Sequence, residues 1–111
     1  MSRERRRMSR ADCAIEARYR PAGSAARPWH AARALNLSAG GVRLCSDEAL
    51  PPGIPLDIQL LRSANPQGMS LRGAVIWTHM QAPLVVEHGV AFLDVTPQQQ
   101  GWLDDAMHQL S

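Results

Sequence analysis

Apolar and polar residues alternate along most of the chain. From Cys13 to Tyr19, apolar side chains at every second position are separated by Glu16 and Arg18, which is typical of a half-buried strand. Similar runs recur, and groups of proline, glycine, asparagine and serine that favour turns lie between them. The pattern predicts six strands, at Cys13–Tyr19, Trp29–Leu37, Val42–Cys45, Ile54–Leu60, Leu71–Trp77 and Val86–Leu93.

The C-terminal segment has a different period. Thr96, followed by Pro97 and then Gln99, has the form of a capping box with proline in the first helical turn. The apolar residues after it recur at spacings of three and four, which predicts an amphipathic helix over about residues 97–110. Six short strands and a final helix indicate an all-β fold, a six-stranded antiparallel β-barrel capped by one C-terminal α-helix.

The same alternation predicts which side chains face the core. In the second strand, Ala31, Leu35 and Leu37 are expected on one side, with Asn36 and Ser38 on the opposite face. The tryptophans of the fifth strand and of the helix, and the two cysteines, also occupy apolar positions of their patterns. We therefore expect Trp77 and Trp102 in the core, and Cys13 and Cys45 as buried structural thiols.

Length and composition favour a single domain. The chain has 111 residues, 45% of them hydrophobic and 20% charged, which is enough for one compact core without disulfides or a structural metal. No apolar run approaches the roughly 20 residues of a membrane span, and the charged N-terminus is unlike a secretory signal. We expect a cytoplasmic protein with a flexible arginine-rich segment at residues 1–11 and a barrel domain at residues 12–111.

Positive charge is concentrated at the N-terminus. All 12 basic residues are arginine, and the first ten residues carry five of them against one glutamate. The rest of the chain is slightly acidic, with seven arginines against nine carboxylates. This distribution favours a localised anion site over a broad basic face for long nucleic acids.

Two short motifs supply the candidate chemistry. Arg6 and Arg10 are planar cations that can grip a phosphate or the edge of a guanine, or stack on a purine. Asn36 and Ser38 add a carboxamide and a hydroxyl on one strand face, and Gly41 leaves space where a ligand approaches the backbone. A dinucleotide with two guanines and two phosphates would satisfy all of these groups.

The motifs resemble those of PilZ domains, the bacterial receptors for cyclic di-GMP. Arg6–Arg10 matches the R-x-x-x-R motif and Asn36–Gly41 matches the [D/N]-x-S-x-x-G motif, and the segments Gly73–Trp77 and Gly89–Phe92 also look like that family. The resemblance implies a barrel with the arginine segment folded over bound cyclic di-GMP, a ligand rather than a cofactor. The site residues that it implies are Arg5, Arg6, Arg10, Asn36, Ser38, Gly40 and Gly41.

The resemblance also carries expectations about stoichiometry and partners. Family members with a basic residue at the position of Arg5 tend to take a stacked, intercalated pair of ligands, which implies two cyclic di-GMP per chain. We expect a single domain, without a second one to receive a signal, so an effector protein acting in trans is implied as the partner.

Other functions have less support from the residues. The four histidines lack metal-ligand spacing, and Ser38 lacks the G-x-S-x-G context of a nucleophile, so an enzyme is not expected. The alternatives are a small barrel that binds single-stranded nucleic acid through its basic tail, and a PilZ-like protein-interaction domain without nucleotide binding. Arg33 and Arg43, on strands beside the motif, would either extend the anion site or be solvated.

Overall fold

The structure is a computed structural model that describes residues 15–24, 26–62 and 65–110. Arg5, Arg6, Arg10 and Cys13 therefore lie outside the described residues. The elements are β1 (Ile15–Pro21), β2 (His30–Leu37), β3 (Gly41–Ser46), β4 (Pro55–Arg62), β5 (Asn65–Ala82), β6 (Val85–Leu93) and α1 (Pro97–Leu110).

The six strands close into a barrel in the order β1-β2-β3-β6-β5-β4. Every neighbouring pair is antiparallel, including β1 with β4, which completes the ring. The predicted six-stranded antiparallel barrel with one C-terminal helix is confirmed. Because a closed barrel has no free edge strands, its backbone hydrogen bonds are satisfied between neighbours.

Alternate side chains of the strands fill the barrel. In β1, Ile15, Ala17 and Tyr19 are buried, as the alternation predicts. Leu44 on β3 and Ile58 on β4 have no solvent exposure, and they belong to one continuous apolar core with the buried residues of the other strands. Burial of such side chains stabilises a fold by roughly 1.5–3 kcal/mol each.

The predicted capping box starts α1. The Thr96 amide donates to Gln99 Oε1 at 2.8 Å, and the Gln99 amide donates to Thr96 Oγ1 at 3.1 Å. Leu103 and Ala106 are buried against the barrel, whereas Trp102 is only half-buried and packs at the margin of the core. Among the described residues, no helix has the length and apolar character that a membrane crossing requires.

The inward side of β2 differs from the prediction. Ala32 and Ala34 face the core, while Ala31 is exposed and Leu35 is half-buried. A bulge in the pairing with β3, between Ala34 and Asn36, then changes the alternation. Alanine occupies both parities at the start of this strand, so the sequence pattern did not distinguish the two faces.

The prediction that Trp77 lies in the core is wrong. Leu71 and Val75 are buried at alternate positions of β5, but the register with β6 shifts between Val75 and Trp77. A bulge adds one residue and moves the following side chains to the other face. Trp77 is therefore 42% exposed on the outside of the barrel, beside Ile76, which is also exposed.

Cys45 is half-buried rather than fully buried. It shares the outer face of β3 with Arg43, and Ser46 takes the buried position next to it. Ser46 is accommodated there because its hydroxyl lies 3.2 Å from the hydroxyl of Tyr19, which donates to it. Partial burial raises the pKa of the Cys45 thiol, with a further increase from the Glu87 carboxylate.

Candidate functional site: a groove outside strands β3 and β6

An open groove of about 500 Å³ lies on the outside of the barrel, and we call it the outer groove. Its floor is formed by β3 and β6, and its sides by the β2–β3 turn and by β5. The volume is within the roughly 300–1,000 Å³ of small-molecule sites. The lining residues are Asn36, Ser38, Gly40, Gly41, Val42, Arg43, Ile76, Trp77, Gly89, Val90 and Ala91.

The β2–β3 turn holds the polar side of the groove. The Ser38 amide donates to the Gly41 carbonyl at 2.9 Å, and the Ser38 hydroxyl lies 3.3 Å from the same oxygen. The Gly40 carbonyl accepts from the Phe92 amide at 2.9 Å, which ties the turn to β6. Asn36, one position before the end of β2, is exposed beside them. The turn thus presents an amide and a hydroxyl from a fixed backbone.

Gly41 has a structural requirement that the sequence did not reveal. A Cβ atom at this position would lie 2.3 Å from the Val90 carbonyl oxygen and 3.4 Å from the Ala91 Cα atom. Glycine therefore allows β3 to pack closely on β6. Close packing on β6 accounts for glycine at this position.

Trp77 forms the aromatic side of the groove. Gly89 on β6 pairs with Arg43 on one side and with Trp77 on the other, so the three residues form one row across the outer face. A Cβ atom at Gly89 would lie 2.1 Å from Trp77 Nε1 and 2.3 Å from Trp77 Cε2. The indole ring therefore covers the bare backbone of Gly89, and glycine is what allows it to lie there.

The comparisons with known proteins agree with this geometry. The sequence matches the family model described as the PilZ domain over residues 4–109. The chain belongs to the PilZ domain family. In general, the PilZ family consists of non-catalytic binding domains for cyclic di-GMP, which is a ligand and not a cofactor.

A solved structure shares the fold of this PilZ domain. It is titled "Structure of Bacillus subtilis Inhibitor of motility (MotI/DgrA)", and it superposes with a TM-score of 0.65 at 13% sequence identity. The match covers 86% of this PilZ domain but only 46% of the other chain, so this chain spans less than half of that protein. No curated protein matches this sequence.

The PilZ motifs lie partly within the described residues. The fold brings the residues of the second motif together, since all four line the outer groove: Asn36, Ser38, Gly40 and Gly41. The first motif, with Arg6 and Arg10, and the neighbouring Arg5 lie outside the described residues.

Arg43 extends the polar side of the groove. Its Nε atom lies 3.7 Å from Glu87 Oε1, and its side chain is 43% exposed. Arg33, the other arginine considered beside the motif, is exposed but does not line the groove. A cation held loosely by a neighbouring carboxylate remains available to an anionic ligand.

Sequence reasoning missed the apolar wall of the site. The alternation predicts Trp77 in the core, and it gives no role to Gly89, which belongs only to the family-like segment Gly89–Phe92. One signal was present: Val75, Ile76 and Trp77 are three consecutive apolar residues, which a regular half-buried strand does not require. Such a run is consistent with a bulge, but it does not show where the register shifts.

The outer groove combines an aromatic ring, a flat backbone floor and a polar rim. Planar heteroaromatic ligands stack on exposed aromatic side chains, while amides, hydroxyls and arginines bind their edges and phosphates. Within the described ranges, no group of three or more histidine, cysteine or acidic side chains could hold a metal ion. The aromatic ring, the flat floor and the polar rim are suited to binding a purine nucleotide.

Proposed function

We propose that this PilZ domain is a non-catalytic cyclic di-GMP receptor that binds the dinucleotide in the outer groove. The observation that carries the proposal is that the four residues of the Asn36–Gly41 motif line the same groove as Trp77. This provides polar groups for the edges of a guanine and a ring for its face.

Each side of the groove has a separate role in this proposal. A guanine stacks on Trp77, which is 42% exposed, and stacking contributes about 1–3 kcal/mol per base. Asn36 and Ser38 bind a base edge, a ribose or a phosphate from the turn. Arg43, 43% exposed at the rim, binds a phosphate or the O6 and N7 atoms of a guanine.

The arginine segment at residues 1–11 supplies the second half of the site. Arg6 and Arg10 grip guanine and phosphate from the side opposite the turn. Ordering this segment costs roughly 1–2 kcal/mol per residue, and several charge-assisted hydrogen bonds offset that cost. Ligand binding therefore closes the segment over the groove and changes the surface presented to an effector protein in trans.

Two intercalated cyclic di-GMP molecules per chain are proposed because Arg5 precedes the motif. A second dinucleotide adds two guanines and two phosphates, so it needs a further cation near the first. The stoichiometry from a titration of the Arg5→Ala variant should fall from two to one. An unchanged stoichiometry of two would exclude this role for Arg5.

Isothermal titration calorimetry with cyclic di-GMP tests the receptor proposal. The substitutions Asn36→Ala, Ser38→Ala and Arg10→Ala each remove a contact, and loss of a hydrogen bond to a charged group, about 1.5–3 kcal/mol, weakens binding about tenfold to hundredfold. Arg33→Ala is the matched control, because it removes an exposed arginine outside the groove. Absence of heat with the unmodified chain, or equal losses in the control, would contradict the proposal.

Single-stranded nucleic acid is the second candidate ligand. The exposed ring of Trp77 on a strand face is a feature that oligonucleotide-binding barrels use. Oligothymidine is the suitable probe, since it offers bases and phosphates without guanine. Tighter binding of oligothymidine than of cyclic di-GMP, with a steep salt dependence, would favour this candidate.

A further inference from the structure

A second groove of about 350 Å³ lies on the side of the barrel formed by β1, β4, β5 and the first turn of α1. We call it the Arg-Trp groove. It shares no lining residue with the outer groove, and in the closed strand order β1 and β4 lie across the barrel from β6 and β3. Its lining residues are Arg20, Trp29, Asp57, Ile58, Gln59, Ser70, Leu71, Arg72 and Gln99.

Two guanidinium groups lie over the Trp29 ring. Arg20 Cζ is 4.1 Å from the ring centroid and Arg18 Cζ is 5.5 Å from it. Arg20 is also oriented by Asp57, whose Oδ2 atom is 3.9 Å from Arg20 Nε, and by the Arg27 carbonyl. These contacts hold the arginines in fixed directions before any ligand arrives.

A polar network supports the floor of the Arg-Trp groove. Arg18 Nε donates to Gln59 Oε1 at 2.5 Å, and Gln59 Nε2 donates to Ser70 Oγ at 3.3 Å. The Gln99 side chain of α1 donates to the Ser70 carbonyl at 2.8 Å. Since the network joins β1, β4, β5 and α1, it keeps the groove walls at a constant spacing.

One row of paired residues in the Arg-Trp groove, formed by Arg20, Asp57 and Arg72, carries excess positive charge. Asp57 pairs in register with Arg20 on β1 and with Arg72 on β5, so one carboxylate lies between two cations. Arg72 is exposed, and its guanidinium makes no ion pair within the described part of the chain. Tryptophan and arginine together are typical of the residues that contribute most to protein interfaces.

We propose that the Arg-Trp groove docks a short acidic segment of a partner protein. A carboxylate of the segment binds Arg72 beside Arg20, and a neighbouring apolar side chain packs against Trp29, which is half-buried. This proposal does not rest on nucleotide binding, because the groove shares no residue with the outer groove.

Charge and geometry favour an acidic peptide over a nucleic acid. Beyond the first ten residues the chain carries seven arginines against nine carboxylates, so a polyanion that extends beyond the groove would be repelled along its length. The guanidinium groups over Trp29 also occupy the ring surface that a base would need for stacking. A short segment with a few carboxylates fits both constraints.

The test is a titration of the ¹⁵N-labelled full chain with the blocked peptide Glu-Leu-Asp-Glu, followed at the Trp29 indole N–H resonance. All five arginines of the first ten residues are changed to glutamine in this background, so that they do not compete for the peptide. The resonance should shift in a saturable way, and the neutral peptide Gln-Leu-Asn-Gln should leave it unmoved.

Two matched substitutions decide whether the Arg-Trp groove is the site that binds the peptide. Arg72→Gln should weaken binding about fivefold, as expected for a partly exposed ion pair. Arg33→Gln, an exposed arginine on β2 outside the groove, should leave binding unchanged. Equal losses in both variants, an equal effect of the neutral peptide, or a stronger response of Trp29 to oligothymidine would each overturn the proposal.

Discussion

The adjacent glycines of the β2–β3 turn offer a matched pair of substitutions. A Cβ atom at Gly41 would lie 2.3 Å from the Val90 carbonyl oxygen, whereas at Gly40 it would meet no atom within 4 Å. The two variants Gly41→Ala and Gly40→Ala thus add the same methyl group at neighbouring positions of one motif. Only the first is expected to disturb the contact between β3 and β6.

The magnitude follows from the distance. A carbon and a carbonyl oxygen normally keep about 3.3 Å apart, so Gly41→Ala requires a displacement of about 1 Å. Overpacking costs about 1–3 kcal/mol, and we expect about 3 kcal/mol because the obstacle is backbone. Gly40 does not have a positive φ, so Gly40→Ala should be neutral or stabilising by about 0.4–1 kcal/mol.

Urea unfolding at equilibrium, followed by far-UV circular dichroism, measures both variants. We expect the free energy of unfolding to be about 3–4 kcal/mol lower for Gly41→Ala than for Gly40→Ala. This is a large share of the about 5–15 kcal/mol that stabilises a typical domain. Equal unfolding free energies for the two variants would refute the argument that Gly41 is required for strand packing.

Three other predictions concern the rest of the barrel. Gly89→Ala places a Cβ atom 2.1 Å from Trp77 Nε1, so the ring must move and calorimetry should show about tenfold weaker cyclic di-GMP binding; unchanged affinity would contradict this. Burial lowers the pKa of His88, so the free energy of unfolding in urea should fall as the pH drops below about 6.5. The decrease should be at most about 1.4 kcal/mol per pH unit. The His88→Gln variant should lack this pH dependence. Leu84 is 74% exposed with φ of 63°, so Leu84→Asn should raise the unfolding free energy by about 1 kcal/mol; a decrease would show that the conformation carries no strain.

The sign of the His88 effect follows from where its proton binds. The imidazole is fully buried and its Nε2 atom accepts a hydrogen bond from the Leu50 amide at 3.1 Å. Because the folded chain holds the neutral form, the unfolded chain binds the proton more readily. Stability is therefore complete above the unfolded pKa and is lost as the pH falls toward the lower folded pKa.

Much of the fold was predictable because its signals are local. Alternation in β1 identified Ile15, Ala17 and Tyr19 as core residues, and the Thr96–Gln99 capping box marked the start of α1. Both depend on residues that are close in sequence. The closure of β1 on β4 depends instead on residues that are far apart in sequence, and no single segment encodes such a pairing.

The candidate site was only half predictable for the same reason. The turn from Asn36 to Gly41 carries its polar groups within one short segment. Trp77, however, reaches the groove only because the pairing of β5 with β6 shifts by one residue and because Gly89 leaves room beneath the ring. A bulge depends on the partner strand, so the sequence of β5 alone assigned this side chain to the wrong face.

The most direct test of the account is a titration of the ¹⁵N-labelled chain with cyclic di-GMP, observed by chemical shifts. We predict that the Trp77 indole N–H and the Asn36 side-chain amide shift together with one affinity, along with the Ser38 backbone amide. The Trp29 indole, in the Arg-Trp groove, should stay unchanged. Shifts centred on Trp29, or no shifts in the outer groove at saturating dinucleotide, would contradict the central claim.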